Sequence, residues 1–235
     1  MPGSSGWCVS PSPSRSMSPL AGAWIASPRP GAHTAAWRAR HADFVARARR
    51  GRIDVLFLGD SIADFFPKRG KDVWDREITT LGNVVDFGIS GDRTQWLLWR
   101  VRNGELDGSG ARVVVLMIGT NNLGAATPAN VARGVAAIVE TIRAKVPDAT
   151  VVLNAILPRG NPHDPVRAKL DATNALLAPL ADGTHVRWLD AGSGFVDGAG
   201  RISRALMPDL LHPSNDGYEI WATELRPVLL DALSK

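Results

Sequence analysis

Five short apolar runs, separated by helical patterns, constrain this 235-residue chain more than any other feature. They are "IDVLFLGD" (53–60), "NVVDFG" (83–88), "RVVVLMIG" (112–119), "TVVLNAIL" (150–157) and "HVRWLD" (185–190). The runs are largely apolar and rich in β-branched residues, with little polar alternation, which is how strands buried on both faces read. Between them lie helical patterns. "AAWRARHADFVARARR", from Ala35, predicts a helix ended by Gly51. A longer helix is predicted from Pro128 to Val146, with Thr127 as N-cap and Pro128 in the first helical position. Its stripe is Val131, Val135, Ile138, Val139, Ile142 and Val146. A last helix carries Tyr218, Trp221, Leu225, Val228 and Leu229, and Pro227 is expected to kink or divide it. Five buried strands alternating with helices define an α/β fold, a five-stranded parallel sheet with helices on both faces. One domain over 31–235 accounts for all of these elements.

The first 30 residues have a different composition, rich in Ser, Pro and Gly, and are expected to be a disordered N-terminal extension. They contain no continuous apolar stretch of the kind a secretory leader needs, and the chain has a single cysteine, Cys8. Both features fit a cytoplasmic protein, and one cysteine permits no internal disulfide. No apolar run approaches the ~18 residues of a membrane span. The formal charge of +4 resides in residues 1–42, which hold Arg15, Arg29, Arg38 and Arg40 and no acid. Removing these four of the 27 basic residues leaves 23 against 23 acidic ones. With no basic cluster, binding to nucleic acid is not expected.

In open parallel sheets the working residues lie on loops at the carboxyl ends of the strands. Three polar, glycine-bearing segments follow the first three strands: "GDS" (59–61), "GISGDRT" (88–94) and "GTNN" (119–122). A fourth, "DLLHPSNDGY" (209–218), precedes the last helix. Ser61 stands where a strand gives way to a helix, so its hydroxyl and the first helical N–H groups share one space. A serine hydroxyl is a weak nucleophile until a base takes its proton. His212 is the candidate base, because imidazole is available in its neutral form at neutral pH. Asp209, three residues earlier, can hold the other ring nitrogen. A tetrahedral intermediate then needs donors for its oxyanion. The candidates are the N–H groups of Ser61 and Gly91 and the side-chain amide of Asn121.

Each piece has a plainer reading. Ser61 could simply cap a helix, "GTNN" could be an ordinary turn, and Asp209 with His212 could be a surface pair. Asp60 reads as structural, an acceptor for neighbouring loops. His33, His41, His163 and His185 read as structural or solvated. A binding protein on the same scaffold would lack one or more of the catalytic roles, whereas here every role is filled. No HExxH or HxxEH spacing occurs, and no glycine-rich phosphate loop, so neither metal nor cofactor is expected. "GDSIA" also departs from the GxSxG elbow of α/β-hydrolases.

Together the four segments resemble the signature blocks of the SGNH (GDSL-type) hydrolase superfamily. Ser61 matches the serine of block I, Gly91 the glycine of block II, Asn121 the asparagine of block III, and Asp209 and His212 the Asp-x-x-His of block V. "FGISGDRTQWLLWRVRNGELDG", "ILPRG", "GFVDGAGRIS" and "DLLHPSNDGY" are also similar to the catalytic, beta/gamma-type subunits of the intracellular platelet-activating factor acetylhydrolases, over roughly residues 35–235. The resemblance implies a single-domain, flavodoxin-like three-layer sandwich, no cofactor, and a small-molecule acyl ester, foremost an O-acetyl ester, as substrate. A longer-chain lysophospholipase or thioesterase, or a carbohydrate acetylesterase, is the alternative. It also implies an acyl pocket closed by Ile62, Thr120 and Leu211, which the plainer reading takes as packing residues beside loops. Mammalian members of the family dimerise and bind a WD-repeat regulator. A homodimer is therefore open for this chain, while nothing in the sequence marks the regulator's site.

Overall fold

The computed structural model describes residues 22–235. Every residue of β1 (Val55–Gly59) and β3 (Val113–Met117) is buried, as unbroken apolar runs require. Successive side chains of a strand point to opposite faces. Leu56, Leu58, Val114, Leu116, Val151 and Leu153 therefore enter one core, and Val55, Phe57, Val113, Val115 and Val152 the other. The first core is closed by α1 (Thr34–Ala48), α4 (Thr94–Arg100), α5 (Pro128–Lys145) and α6 (Pro165–Leu177). The second is closed by α2 (Ser61–Arg69), the single turn α3 (Lys71–Val73) and α7 (Asn215–Leu233). The result is a three-layer α/β sandwich.

With β2 (Val84–Asp86), β4 (Thr150–Asn154) and β5 (Val186–Leu189), the sheet runs β2-β1-β3-β4-β5, and all of its pairings are parallel. This is the flavodoxin-like order, whose switch point lies between β1 and β3. The loops after β1, β2 and β3 open onto that point. Strand β2 is shorter than its apolar run and only half-buried, because it forms an edge of the sheet. Thr127 caps α5 as predicted, its side chain accepting from the Asn130 N–H. Pro227 lies inside α7 without dividing it. The helix is held across the proline by Trp221, Leu225 and Leu229, all fully buried in the second core.

The expected disordered extension over residues 1–30 is corrected in part. Residues 1–21, with Cys8 and Arg15, lie outside the described residues. Residues 22–30 form an ordered strap across the first helical layer. The buried Thr94 hydroxyl donates to the Ala23 carbonyl at 2.7 Å, and the Ser27 N–H donates to the Gln95 carbonyl at 3.1 Å. Arg133 lies over the Trp24 ring. Gly134 of α5 lets the strap in, since a Cβ there would sit 2.4 Å from the Ala23 carbonyl oxygen. These are mostly backbone contacts, which leave no apolar periodicity in the sequence. Among the described residues, no helix is long and apolar enough to cross a membrane.

Candidate active site

Ser61 is the first residue of α2, directly after β1, and is buried. Asp60 caps the helix, its Oδ1 accepting from the Ile62 N–H at 3.0 Å. The Ser61 N–H belongs to the first helical turn, whose amides lack intrahelical partners. Burial raises the Asp60 carboxyl to about 7, with nearby Asp92 adding to the effect and the Ile62 bond and Arg159 opposing it.

The loop before α7 brings the histidine to the serine across 151 residues of sequence. The Ser61 Oγ lies 2.9 Å from His212 Nε2, and His212 Nδ1 lies 2.7 Å from Asp209 Oδ2. The other oxygen of Asp209 accepts from the backbone N–H groups of His212 and Leu211, at 2.8 and 3.1 Å. Partial burial opposes ionisation of Asp209. The hydrogen bonds from the His212 ring and backbone and from the Leu211 N–H outweigh it, holding the carboxyl down at about 2. An ionised carboxylate only accepts, so the His212 proton belongs on Nδ1 and Nε2 is free to accept from Ser61. Between Asp209 and Leu211 the backbone turns through Leu210 at φ 58°, and the Leu210 carbonyl accepts from the Gly160 N–H at 2.8 Å. The Phe65 ring lies 5.2 Å from the His212 ring. A serine hydroxyl bonded to an imidazole whose far nitrogen is held by a carboxylate is poised for nucleophilic attack.

The loop after β2 is gripped at nearly every amide. The N–H groups of Phe87, Gly88, Ile89, Ser90 and Asp92 donate to Phe57 O, Asp86 Oδ1, Gly59 O, Asp64 Oδ2 and Ile89 O respectively. Among the described residues, the Gly91 N–H alone within 87–92 has no protein acceptor. Gly91 adopts φ +80°, a backbone conformation that side-chain-bearing residues rarely take. Asn121 lies in a 3-10 turn after β3 (Thr120–Asn122), and its Nδ2 donates to the Asp92 carbonyl at 2.9 Å. One of its two amide protons is thereby committed and the amide oriented, with the second left over.

Of the residues expected to shape an acyl pocket, Ile62 and Thr120 are buried and Leu211 is half-buried. The Ile62 side chain joins the second core. The Thr120 hydroxyl accepts from Arg159 Nη1 at 3.1 Å, which fixes its rotamer. Several residues that support the site escaped sequence reasoning. Arg40 donates to both oxygens of Asp64 and to the Gly88 carbonyl. Arg100, fully buried, donates to Asp92, Glu105 and the Phe87 carbonyl. Asp92 also accepts from the Trp37 ring N–H, and His41 pairs with Glu105 at 2.8 Å. The one available signal was an arginine amid the apolar residues of "LLWRV". Among the described residues, no cluster of His, Cys, Asp or Glu could hold a metal ion.

A sequence model of the GDSL-like lipase/acylhydrolase family matches residues 57–220. Platelet-activating factor acetylhydrolase IB subunit alpha1 of Homo sapiens is 38% identical over 200 residues, covering 85% of this chain and 85% of that protein. Subunit alpha2 of the same species is 36% identical, covering 85% and 86%. Among solved structures, a GDSL-like lipase from Bacteroides thetaiotaomicron superposes with a TM-score of 0.70 at 19% identity, over 83% of this chain and 97% of that one. An acetylxylan esterase from Geobacillus stearothermophilus gives 0.61 at 20% identity, over 76% and 94%. At those identities the two structures speak to the fold. The chain belongs to the GDSL-like lipase/acylhydrolase family and is an ester hydrolase.

Proposed function

We propose that this enzyme cleaves short-chain acyl esters, foremost O-acetyl esters, through an acyl-enzyme intermediate on Ser61. The observation that carries the reading is the unbroken chain of hydrogen bonds from Ser61 through His212 to the ionised Asp209. In the first half-reaction Oγ attacks the ester carbonyl carbon while Nε2 takes its proton. The proton passes to the leaving alkoxide as the C–O bond breaks, releasing the alcohol. Water, deprotonated by His212, then attacks the acyl-serine; the acyl C–Oγ bond breaks, the imidazolium returns the proton to Ser61 Oγ, and the carboxylic acid leaves. The oxyanion of each tetrahedral intermediate is held by the N–H groups of Ser61 and Gly91 and the Asn121 amide. The unclaimed Gly91 N–H and the spare Asn121 proton support that assignment.

The preference for short acyl groups rests on Ile62, Thr120 and Leu211. They adjoin Ser61, Asn121 and His212 in sequence, Ile62 and Thr120 are buried and the Thr120 hydroxyl is held by Arg159, and on this reading their bulk leaves little room for added methylenes. The acetylhydrolase names of the 38%- and 36%-identical relatives point the same way. Measuring kcat/KM on nitrophenyl esters from C2 to C10, followed by a panel of acetylated sugars, tests this. The reading expects a maximum at C2 or C3. A maximum at C8 or beyond would replace it with a lysophospholipase-like activity.

A further inference from the structure

The strap over residues 22–30 reaches the loop that carries Gly91, and one side chain makes the contact. Arg29 Nη1 donates to the Ser90 carbonyl at 2.8 Å. That carbonyl and the Gly91 N–H belong to one peptide group. No cis peptide bond occurs among the described residues, and in a trans peptide the C=O and N–H point in opposite directions. A cation gripping the oxygen therefore turns the N–H to the far side of the plane. It also draws electron density toward the oxygen and strengthens the N–H as a donor.

The rest of Arg29 fixes this geometry. Its guanidinium lies over the Trp96 ring, 5.2 Å from the centroid, at the start of α4. Its backbone carbonyl accepts from the Thr34 hydroxyl at 2.9 Å, at the start of α1. A Cβ built on Gly91 would lie 3.1 Å from Arg29 Nη2, so the guanidinium covers the back of Gly91 as well as the Ser90 oxygen. Among the described residues, no carboxylate lies within ion-pairing distance of Arg29. Its guanidinium is held instead by the Ser90 carbonyl and the Trp96 ring. On the side facing α2, Ser90 is tied by its N–H to Asp64 Oδ2 at 3.2 Å. Asp64 and Arg29 thus pin the two ends of Ser90, and the glycine that follows would otherwise be free to turn its peptide.

We propose that Arg29 is a positioning residue that holds the Ser90–Gly91 peptide with its N–H presented to the ester oxygen. This rests on the reading of Gly91 as an oxyanion donor. Arg29 touches no reacting atom. Its loss lets the peptide rotate and weakens a bond that matters most when the oxygen carries charge, so kcat should suffer more than KM.

The test compares Arg29→Ala, Arg29→Lys and Asn121→Ala with wild type on a nitrophenyl acetate, recording kcat, KM and Tm. Arg29→Ala is expected to lose about 10- to 100-fold in kcat, with KM within about twofold. Lysine should restore part of the loss. Guanidinium ion at non-denaturing concentration should raise the kcat of Arg29→Ala saturably, where sodium chloride of equal ionic strength does not. A kcat of Arg29→Ala within twofold of wild type, or a loss that guanidinium leaves unchanged, overturns the proposal. Asn121→Ala separates the two levels. If it loses roughly 10²–10³ in kcat while Arg29→Ala is silent, only the role of Arg29 falls. If both are silent, the oxyanion assignment falls with it.

Discussion

The hydroxyl of Tyr218 donates to the carbonyl of Ile62 at 2.8 Å, inside the second core. Tyr218 lies in the first turns of α7, just after the His212 loop, and Ile62 immediately follows Ser61. The bond therefore ties the helix that follows His212, the proposed base, to the one that opens on Ser61, the proposed nucleophile. Burial, with Asp86 and Asp60 nearby, pushes the phenol well above its usual range, so it stays a donor at any working pH.

Tyr218→Phe keeps the ring, which stacks on Phe66, and removes only the bond. A loss of roughly 0.5–1.5 kcal/mol of stability is expected, read from urea midpoints. Relaxed register between α2 and α7 should also lower kcat several-fold with KM little changed. An unchanged kcat would mean that other contacts set the Ser61–His212 distance.

Arg100, Asp92 and Glu105 are fully buried together, with the arginine bridging both carboxylates at 2.8 and 2.7 Å. Replacing Arg100 with Met removes the cation shared by two buried carboxylates, leaving Asp92 with the Trp37 N–H and Glu105 with His41. The expected cost is about 3–5 kcal/mol, a large share of the ~5–15 kcal/mol that stabilises a typical domain. Low soluble yield or a large fall in urea midpoint would agree. A variant within about 1 kcal/mol of wild type would show that the carboxylates find other partners.

Much of this architecture was legible in the sequence. Strands β1 and β3 are buried along their whole length, so apolar runs mark them without ambiguity. The start of α5 was legible because Thr127 and Pro128 act through local hydrogen bonding and fixed φ. Ser61, Asp209 and His212 could be named as candidates, but their convergence across 151 residues follows from strand order, which local patterns do not encode. The family resemblance supplied that order. The strap was illegible because Ala23, Ser27 and Arg29 bind through carbonyls and amides, with no periodic stripe. His41 reads as structural or solvated from the sequence, and its pairing with the buried Glu105 is a structural role. The buried Arg100 network draws on α1, the 88–94 loop and α4, none of which announces the others.

Asp60 links pH to stability. Its folded pKa of about 7 stands above the ordinary 3.8 because the group is buried. Between those values the folded protein holds a proton that the unfolded chain releases. The stabilising contribution is therefore complete below about pH 4 and is lost as pH rises through about 7. Asn at this position keeps an acceptor for the Ile62 N–H and cannot ionise. The wild-type loss of stability between pH 5 and pH 8 should shrink in Asp60→Asn, by roughly 1–4 kcal/mol. Parallel stability curves for the two proteins would show that Asp60 does not titrate in this range.

Leu211 is the half-buried member of the proposed acyl pocket and the one whose truncation least disturbs the core. Leu211→Ala should raise kcat/KM on C6 to C10 esters by about one decade while leaving the C2 ester nearly unchanged. An equal fall at every chain length would assign Leu211 to packing of the His212 loop instead.

In the proposed mechanism Ser61 forms the acyl-enzyme. A fluorophosphonate forms a stable covalent bond only with an activated nucleophile, so labelling followed by peptide mass mapping reads the claim directly. One label per chain is expected, located on Ser61. None is expected on folded Ser61→Ala, whose kcat should fall by roughly 10³ or more. Stoichiometric labelling of a folded Ser61→Ala protein, or a label mapped to any other residue, would contradict that mechanism.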